Sequence, residues 1–332
     1  MHKPVIALSM GDPAGIGPEL IVKTLSQESI YESCHPVIIA APNVIADISR
    51  VVGVHLWPHP IGEVSDAKFS PPYVDVLCPE GVQIDSVEWG KVNAAMGRAA
   101  ALCLKKAFEL AQDRAVDGVV AAPLNKEAFH LAGYNYLDDL TWLAELTHSP
   151  EPYVLGAIGS VWTVAVTLHV PFRDIADLVQ KERIVKYTCN LHSVLRRVGY
   201  ATPRIAVAAL NVHGGEGGLF GQEEINEIGP AILEAKAQGI NVEGPCPADT
   251  VFVRARDGEF DGVVCMYHDQ ANIARKLLAT MDGATIYMGL PVVCGTTAHG
   301  TAFDKAGKGV SVSTSLEAAL KYTVLLTSGA GA

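Results

Sequence analysis

Short apolar runs, bounded by glycine, proline or polar corners, recur along the chain. Between them lie longer stretches with apolar residues at helical spacing. Residues 5–10 form the first run and predict a strand. It passes into Gly11-Asp-Pro-Ala-Gly-Ile-Gly17-Pro-Glu19 and a helix over 18–26, since proline suits a first helical turn. Residues 37–41 predict a second strand with a turn at Pro42-Asn43. Prolines break every period in 54–90, which reads as irregular surface. An Ala- and Leu-rich stripe predicts a long helix over 92–112, followed by a buried strand over 118–122 and helices over 127–131 and 141–147. Runs 154–158 and 162–168 flank a Gly-Ser turn and predict a hairpin. Helices near 173–179 and 182–198, a strand over 204–210 and a helix over 223–238 follow. A strand over 260–266, a helix over 272–279, a strand over 284–288 and a helix over 316–326 complete the chain. Such alternation predicts an α/β fold, mostly parallel, with one antiparallel excursion.

Composition sets the scale and excludes partners. With 332 residues, 49% of them hydrophobic and 18% charged, the chain builds a large core and has apolar surplus for a subunit interface. A net charge of −11 argues against nucleic acid and anionic membranes as partners. The seven cysteines, at 34, 78, 103, 189, 246, 265 and 294, are odd in number and form no CxxC. They read as reduced, mostly buried thiols of a cytoplasmic protein. The first apolar run is too short for a signal peptide, and no run reaches the ~18–20 apolar residues of a membrane span.

Chemistry gathers at strand ends, where open α/β sheets bind ligands. Run 260–266 ends on Tyr267-His268-Asp269-Gln270, and two other strands end on His169 and His213. Three imidazoles that leave a coordination position open suit a catalytic zinc or a similar divalent ion. Asp249, Asp269 and Lys276 supply candidate acid and base groups. The glycines of 11–17 let backbone approach a ligand, and a helix start there favours an anion. That loop is neither GxGxxG nor a Walker loop, so a dinucleotide fingerprint is absent.

These pieces carry a resemblance. Gly11-Asp-Pro-Ala-Gly-Ile-Gly-Pro18, Ala122-Pro-Leu-Asn-Lys126, His169-Val-Pro-Phe-Arg-Asp-Ile-Ala176, Leu210-Asn-Val-His-Gly-Gly-Glu-Gly-Gly218, Gly244-Pro-Cys-Pro-Ala-Asp-Thr250, Met266-Tyr-His-Asp-Gln270 and His299-Gly-Thr-Ala302 occur in this order. Over essentially its full length the chain resembles the 4-hydroxythreonine-4-phosphate dehydrogenase family of pyridoxine biosynthesis. The resemblance implies an isocitrate/isopropylmalate dehydrogenase-like fold of two α/β/α subdomains with a central cleft. The first would span about 1–122 plus 297–332, and the second 123–296 with metal ligands and dimer interface. It implies a homodimer whose active site is shared between chains. The divalent metal, zinc first, would sit on His169, His213 and His268, with Lys276 on the substrate. The cofactor, NAD or NADP, would lie on His299, Gly300, Thr301 and Asp304. Lys276, Asp249 and Lys126 are the catalytic candidates, with their roles left open.

Departures from the family's pattern bear on the substrate. Its substrate contacts fall on Asp139, Leu140, Thr285 and Cys294. A carboxylate facing a phosphate would repel it. The expectation is therefore oxidative decarboxylation of a non-phosphorylated cis-dihydrodiol carboxylate, of the terephthalate dihydrodiol type, in aromatic catabolism. The alternatives are the biosynthetic 4-hydroxythreonine-4-phosphate dehydrogenase, with phosphate held elsewhere, for example by the Gly11–Gly17 loop, and a non-catalytic metal- or ligand-binding relative.

Overall fold

A computed structural model describes residues 3–278 and 283–328. The chain divides into two compact units. Of the described residues, the first takes in 3–153 and 284–328, and the second 154–278 and 283. In the first, β1 (Val5–Ser9) leads into α1 (Gly17–Leu25), α2 (Glu28–Ser33), β2 (His35–Ile39), α3 (Pro42–Val52), β3 (Trp57–Ile61) and β4 (Tyr73–Leu77). It continues through α4 (Ala94–Gln112), β5 (Gly118–Ala121), α5 (Lys126–Leu131) and α6 (Asp139–Leu146). The second unit holds β6 (Tyr153–Ile158), β7 (Val161–Ala165), α7 (Ile175–Leu178), α8 (Lys181–Arg197) and β8 (Ile205–Ala208). α9 (Gly229–Ala237), β9 (Val242–Cys246), α10 (Val251–Arg256), β10 (Gly262–Cys265) and α11 (His268–Leu278) follow in the same unit. The chain then returns to the first unit with β11 (Ala284–Met288), β12 (Cys294–Thr297) and α12 (Thr314–Ser328).

The first unit's strands lie in the order β3-β4-β2-β1-β5-β12-β11. β1 pairs in parallel with both β2 and β5, so it is a central strand, and Ile6 to Ser9 are buried whichever face they point to. That suits its uninterrupted apolar sequence. β11 and β12 are antiparallel to each other, which makes the sheet mixed. The second unit's order is β6-β7-β10-β8-β9, with an antiparallel β6–β7 hairpin and parallel pairs beyond it. Its core packs Val161, Phe252, Phe260, Val263 and Cys265 between strands and helices.

The units differ from the division expected at 122/123 and 296/297. β12 pairs with β5, with Cys294 opposite Val119 and Thr296 opposite Ala121, and this pulls β11 and β12 into the first unit. Lys126, Asp139, Leu140, Thr285 and Cys294 therefore belong to the first unit, and the three histidines and Lys276 to the second. Residues 1–2 and 329–332 of the expected first subdomain lie outside the described residues, as does residue 279 at the end of the helix expected over 272–279.

Four segments are more regular than expected. Pro42 opens α3 instead of turning the chain, and Val44, Ile45 and Ile48 form its buried stripe. Stretch 54–90 contains β3 and β4, with β3 at the sheet edge, where its two prolines are tolerated. β9 and α10 fill 242–256, and β12 takes up 294–297.

Candidate active site

β7, β10 and β8 are parallel neighbours, so the loops that follow them leave the same sheet edge. His169 and His213 lie on the segments after β7 and β8, and His268 follows the β10 corner. The His169 and His268 rings come together, with centroids 5.7 Å apart. Phe172 and Tyr267 meet edge-on at 5.8 Å and bind the His169 loop to the β10–α11 corner. His268 is not on a free loop but opens α11, and its Nδ1 lies 2.7 Å from Asp269 Oδ1. Gln270 secures the corner: its Oε1 accepts the Met266 N–H at 2.7 Å, and its Nε2 donates to the Ala209 carbonyl at 2.8 Å.

His213 sits in a turn in which residues 213–218 all have positive φ. Glycine fills 214, 215, 217 and 218 of that run, but His213 (φ 52°) and Glu216 (φ 47°) hold the left-handed form with full side chains. Such strain persists only where the surroundings enforce it. A buried carboxylate pins the chain where it enters this turn. Glu224 Oε1 accepts the Leu210 and Asn211 N–H groups at 2.9 and 2.7 Å, and Oε2 accepts Asn211 Nδ2 at 2.9 Å. His213 Nδ1 lies 3.1 Å from Glu216 Oε1. A carboxylate on Nδ1 orients an imidazole to offer Nε2, the usual outer-shell arrangement of a metal-ligating histidine. His213 and His268 thus suit a divalent ion in donor chemistry and orientation. Among the described residues, however, no group of three His, Cys, Asp or Glu side chains closes to metal-binding distance. The chain brings two of its three histidines together.

Lys276 lies on α11 and is exposed, while its neighbour Arg275 is buried. Burial lowers the Arg275 pKa. Asp249 is exposed on the turn before α10. In the first unit, Asn125 Oδ1 accepts the Ala128 N–H at 2.8 Å, which starts α5 and leaves Lys126 exposed on its first turn.

The Asp138–Asp139 pair divides its work. Asp138 caps α6, accepting from the Thr141 N–H at 2.8 Å and from its hydroxyl at 2.7 Å. Asp139 Oδ2 accepts the Tyr287 hydroxyl at 2.8 Å. Desolvation raises the Asp139 pKa against the lowering effect of that bond. Burial, and then Asp139, push the Tyr287 phenol well up. Cys294 is fully buried on β12 and its thiol is likewise raised by burial. Leu140 is buried and Thr285 half-buried. Tyr287 had no signal in the sequence, because its partner is 148 residues away.

The glycine loop is packed shut. Every residue from 11 to 20 is buried. A Cβ on Gly11 would lie 2.5 Å from the Pro123 carbonyl oxygen, and one on Gly17 2.3 Å from that of Met10. This closes the loop as an open phosphate cradle and corrects that expectation. Asp12, inside it, accepts the Ala14 N–H at 2.9 Å through Oδ1, while its buried Oδ2 has no hydrogen-bond partner among the described residues. Burial raises its pKa to about 6 from 3.8. The proton is bound more tightly folded than unfolded, so this contribution is present at low pH and lost as pH rises through 6. Asp12→Asn is expected to gain thermal stability over the wild type at pH 7.5 but not at pH 4, measured by calorimetry at both.

Segment 298–313 has no helix or strand. His299 and Asp304 are exposed, Thr301 is buried, and a Cβ on Gly300 would meet open space. The Thr301 carbonyl accepts the Ile16 N–H at 3.0 Å. Exposed polar groups around an open glycine suit a dinucleotide lying against backbone.

Residues 32–323 match the family described as pyridoxal phosphate biosynthetic protein PdxA. The D-threonate 4-phosphate dehydrogenase of Salmonella typhimurium is 41% identical over 330 residues, 98% of this chain and all of that one (100%). The crystal structure of 4-hydroxythreonine-4-phosphate dehydrogenase from Klebsiella pneumoniae superposes with a TM-score of 0.87 at 37% identity, covering 98% of both chains. Terephthalate 1,2-cis-dihydrodiol dehydrogenase from Burkholderia xenovorans aligns at TM-score 0.68 and 27% identity, over 98% of this chain and 99% of that one. That order overturns the dihydrodiol expectation, and with it decarboxylation in aromatic catabolism. It rested on Asp139, Leu140, Thr285 and Cys294, and a handful of positions does not outweigh similarity spread along the whole chain. The chain belongs to the pyridoxal phosphate biosynthetic protein PdxA family.

Proposed function

We propose that this chain is a dehydrogenase oxidising a secondary alcohol of a four-carbon hydroxy acid 4-phosphate, D-threonate 4-phosphate first and 4-hydroxythreonine 4-phosphate second. The observation that carries this is the 41% identity to a D-threonate 4-phosphate dehydrogenase across 98% of the chain. The test is NAD(P)H formation with each phosphorylated acid and with free D-threonate. Turnover of a 4-phosphate supports the reading. Turnover of the unphosphorylated acid alone overturns it.

In this reading His169, His213 and His268 hold a divalent ion, zinc first. When bound, it would polarise the carbinol oxygen, and NAD or NADP would take up hydride. Lys276, exposed on the helix that His268 opens, pairs with a substrate anion. Asp249 is the candidate base and Lys126 a further cation. His299, Gly300, Thr301 and Asp304 carry the cofactor, in an arrangement of isopropylmalate dehydrogenase type. We also place the protein in the cytoplasm. All seven cysteines are free, and among the described residues no helix is long and apolar enough to cross a membrane.

A homodimer completes the reading. Around the histidine loops the second unit exposes Phe172 (77%), Leu219 (75%) and Leu277 (81%). Ile273 and Leu277 share one face of α11. A second copy covering these residues would bring further groups to His169 and His268. Each such side chain is worth ~1.5–3 kcal/mol on burial. The pair Phe172→Asp and Leu277→Asp is therefore expected to raise the dimer dissociation constant by about 10²-fold or more. Sedimentation equilibrium checks this. A wild type that stays monomeric at micromolar concentration removes the shared site.

A further inference from the structure

We propose that Glu19 and Lys23, one turn apart on α1, are positioning residues that hold segment 299–311 in the form that accepts the dinucleotide. This rests on the reading of 299–304 as the cofactor segment. Glu19 is 0% exposed, an unusual place for a carboxylate. Its Oε1 accepts the Ser311 N–H at 2.6 Å and its Oε2 the Gly309 N–H at 3.2 Å. Lys23 Nζ donates to Glu19 Oε1 at 2.9 Å, to the Gly309 carbonyl at 2.9 Å and to the Ser311 carbonyl. One ion pair thus satisfies the N–H and C=O groups of both Gly309 and Ser311.

That arrangement does for this segment what a sheet ladder does elsewhere. The backbone of 298–313 has no helix or strand partners, yet Ser311 is buried. Buried backbone groups need partners, and here charged side chains supply them. Two further anchors lie upstream. The Ile16 N–H holds the Thr301 carbonyl, and Trp89 packs so closely on Gly307 that a Cβ there would lie 2.5 Å from the indole. Between the anchors the chain exposes Asp304, Lys305 and Lys308. A segment fixed on its inner side with polar groups facing out is pre-organised, and pre-organisation raises affinity by lowering the ordering cost of binding. The role reaches the cofactor through backbone, so neither residue needs to touch it.

Glu19→Gln and Lys23→Met, in the full-length chain, test this. Three quantities are read: NADH affinity by fluorescence titration, hydrogen exchange of 299–311 with and without NADH, and steady-state kinetics. Hydrogen bonds to charged groups are worth enough that either change should raise the NADH Kd and the cofactor KM about tenfold or more. Exchange at Gly309 and Ser311 should quicken. The kcat at saturating cofactor and the KM of the hydroxy acid should stay within about threefold, since uniform cofactor binding alone is lost. Should Glu19→Gln fail to fold, Lys23→Met decides, because it leaves both bonds from Glu19 to backbone in place. NADH that protects 299–309 in the wild type but binds both variants as tightly overturns the proposal alone. NADH that binds without protecting 299–309 removes the cofactor segment itself, and the proposal with it.

Discussion

Replacing His268 by alanine is expected to abolish stoichiometric metal and to lower kcat/KM by about 10³-fold or more. Lewis-acid polarisation supplies several kcal/mol of transition-state stabilisation, and each ~1.4 kcal/mol is tenfold in rate. His268 is held both by a helix start and by two neighbouring side chains. It starts α11, its ring lies 5.7 Å from that of His169, and Asp269 fixes its Nδ1 at 2.7 Å. Asp269→Asn keeps the hydrogen-bonding shape but loses the charge behind the imidazole. Outer-shell changes of this kind cost ~10–100-fold in metal affinity. The two variants should therefore form a graded series in metal content, measured by plasma mass spectrometry after dialysis, and in kcat/KM. A His268→Ala enzyme that retains both metal and full activity would take the histidines out of the mechanism. If it loses activity but keeps metal, His268 acts on substrate and not as a ligand.

How far the sequence reveals such a site depends on the range of the interactions. The order of strands and helices was readable because apolar runs and helical stripes are local. β1, α1, α4, β5, the β6–β7 hairpin and α8 lie within a few residues of their expected places. α3 was hidden because a proline read as a turn also suits a first helical position. β3 was hidden because its prolines break the pattern of a central strand and not that of an edge strand. β12, Cys-Gly-Thr-Thr, has no apolar run at all and exists through its partners β5 and β11. That strand moved the boundary between the units.

At the site, residue types were legible and their positioning was not. The histidines at strand ends were visible, but nothing local announces Gln270 bridging to Ala209, or Tyr287 on Asp139. The dihydrodiol expectation failed for a related reason. Four substituted positions tell which contacts are lost, while a distal group of the substrate can be held by residues the pattern never names. Asp139 illustrates this: its carboxyl is engaged by a tyrosine from a distant strand, so its charge is not simply presented to a ligand.

Glu224→Ala tests the same lesson on the second unit, and its effect on stability is expected to be the largest in that unit. Glu224 is 6% exposed and accepts from two consecutive backbone N–H groups and from Asn211 Nδ2. Removing the carboxylate leaves the Leu210 and Asn211 amides without that partner at the end of β8. Each unsatisfied buried donor costs ~1–3 kcal/mol, so a loss of about 3 kcal/mol is expected. With slopes of ~1–3 kcal/mol/M in urea, the midpoint should fall by about 1 M or more. The local consequence is sharper than the global one. The turn that holds His213 and Glu216 in left-handed backbone is pinned at its start by Glu224, and farther on by the Phe220 N–H on the Gly215 carbonyl and Gln222 Nε2 on that of Gly218. Freed from Glu224, the turn should relax, and His213 should no longer be delivered in one orientation. Metal affinity should then drop together with stability, although Glu224 lies eleven residues beyond His213 in sequence and was not among the candidate ligands. Glu224→Gln keeps one oxygen for the amides and should recover much of the stability. Its new amide nitrogen faces Asn211 Nδ2, a donor against a donor, so recovery of metal affinity should lag behind. If both variants bind metal as the wild type does, the carboxylate supports the fold and has no part in placing His213.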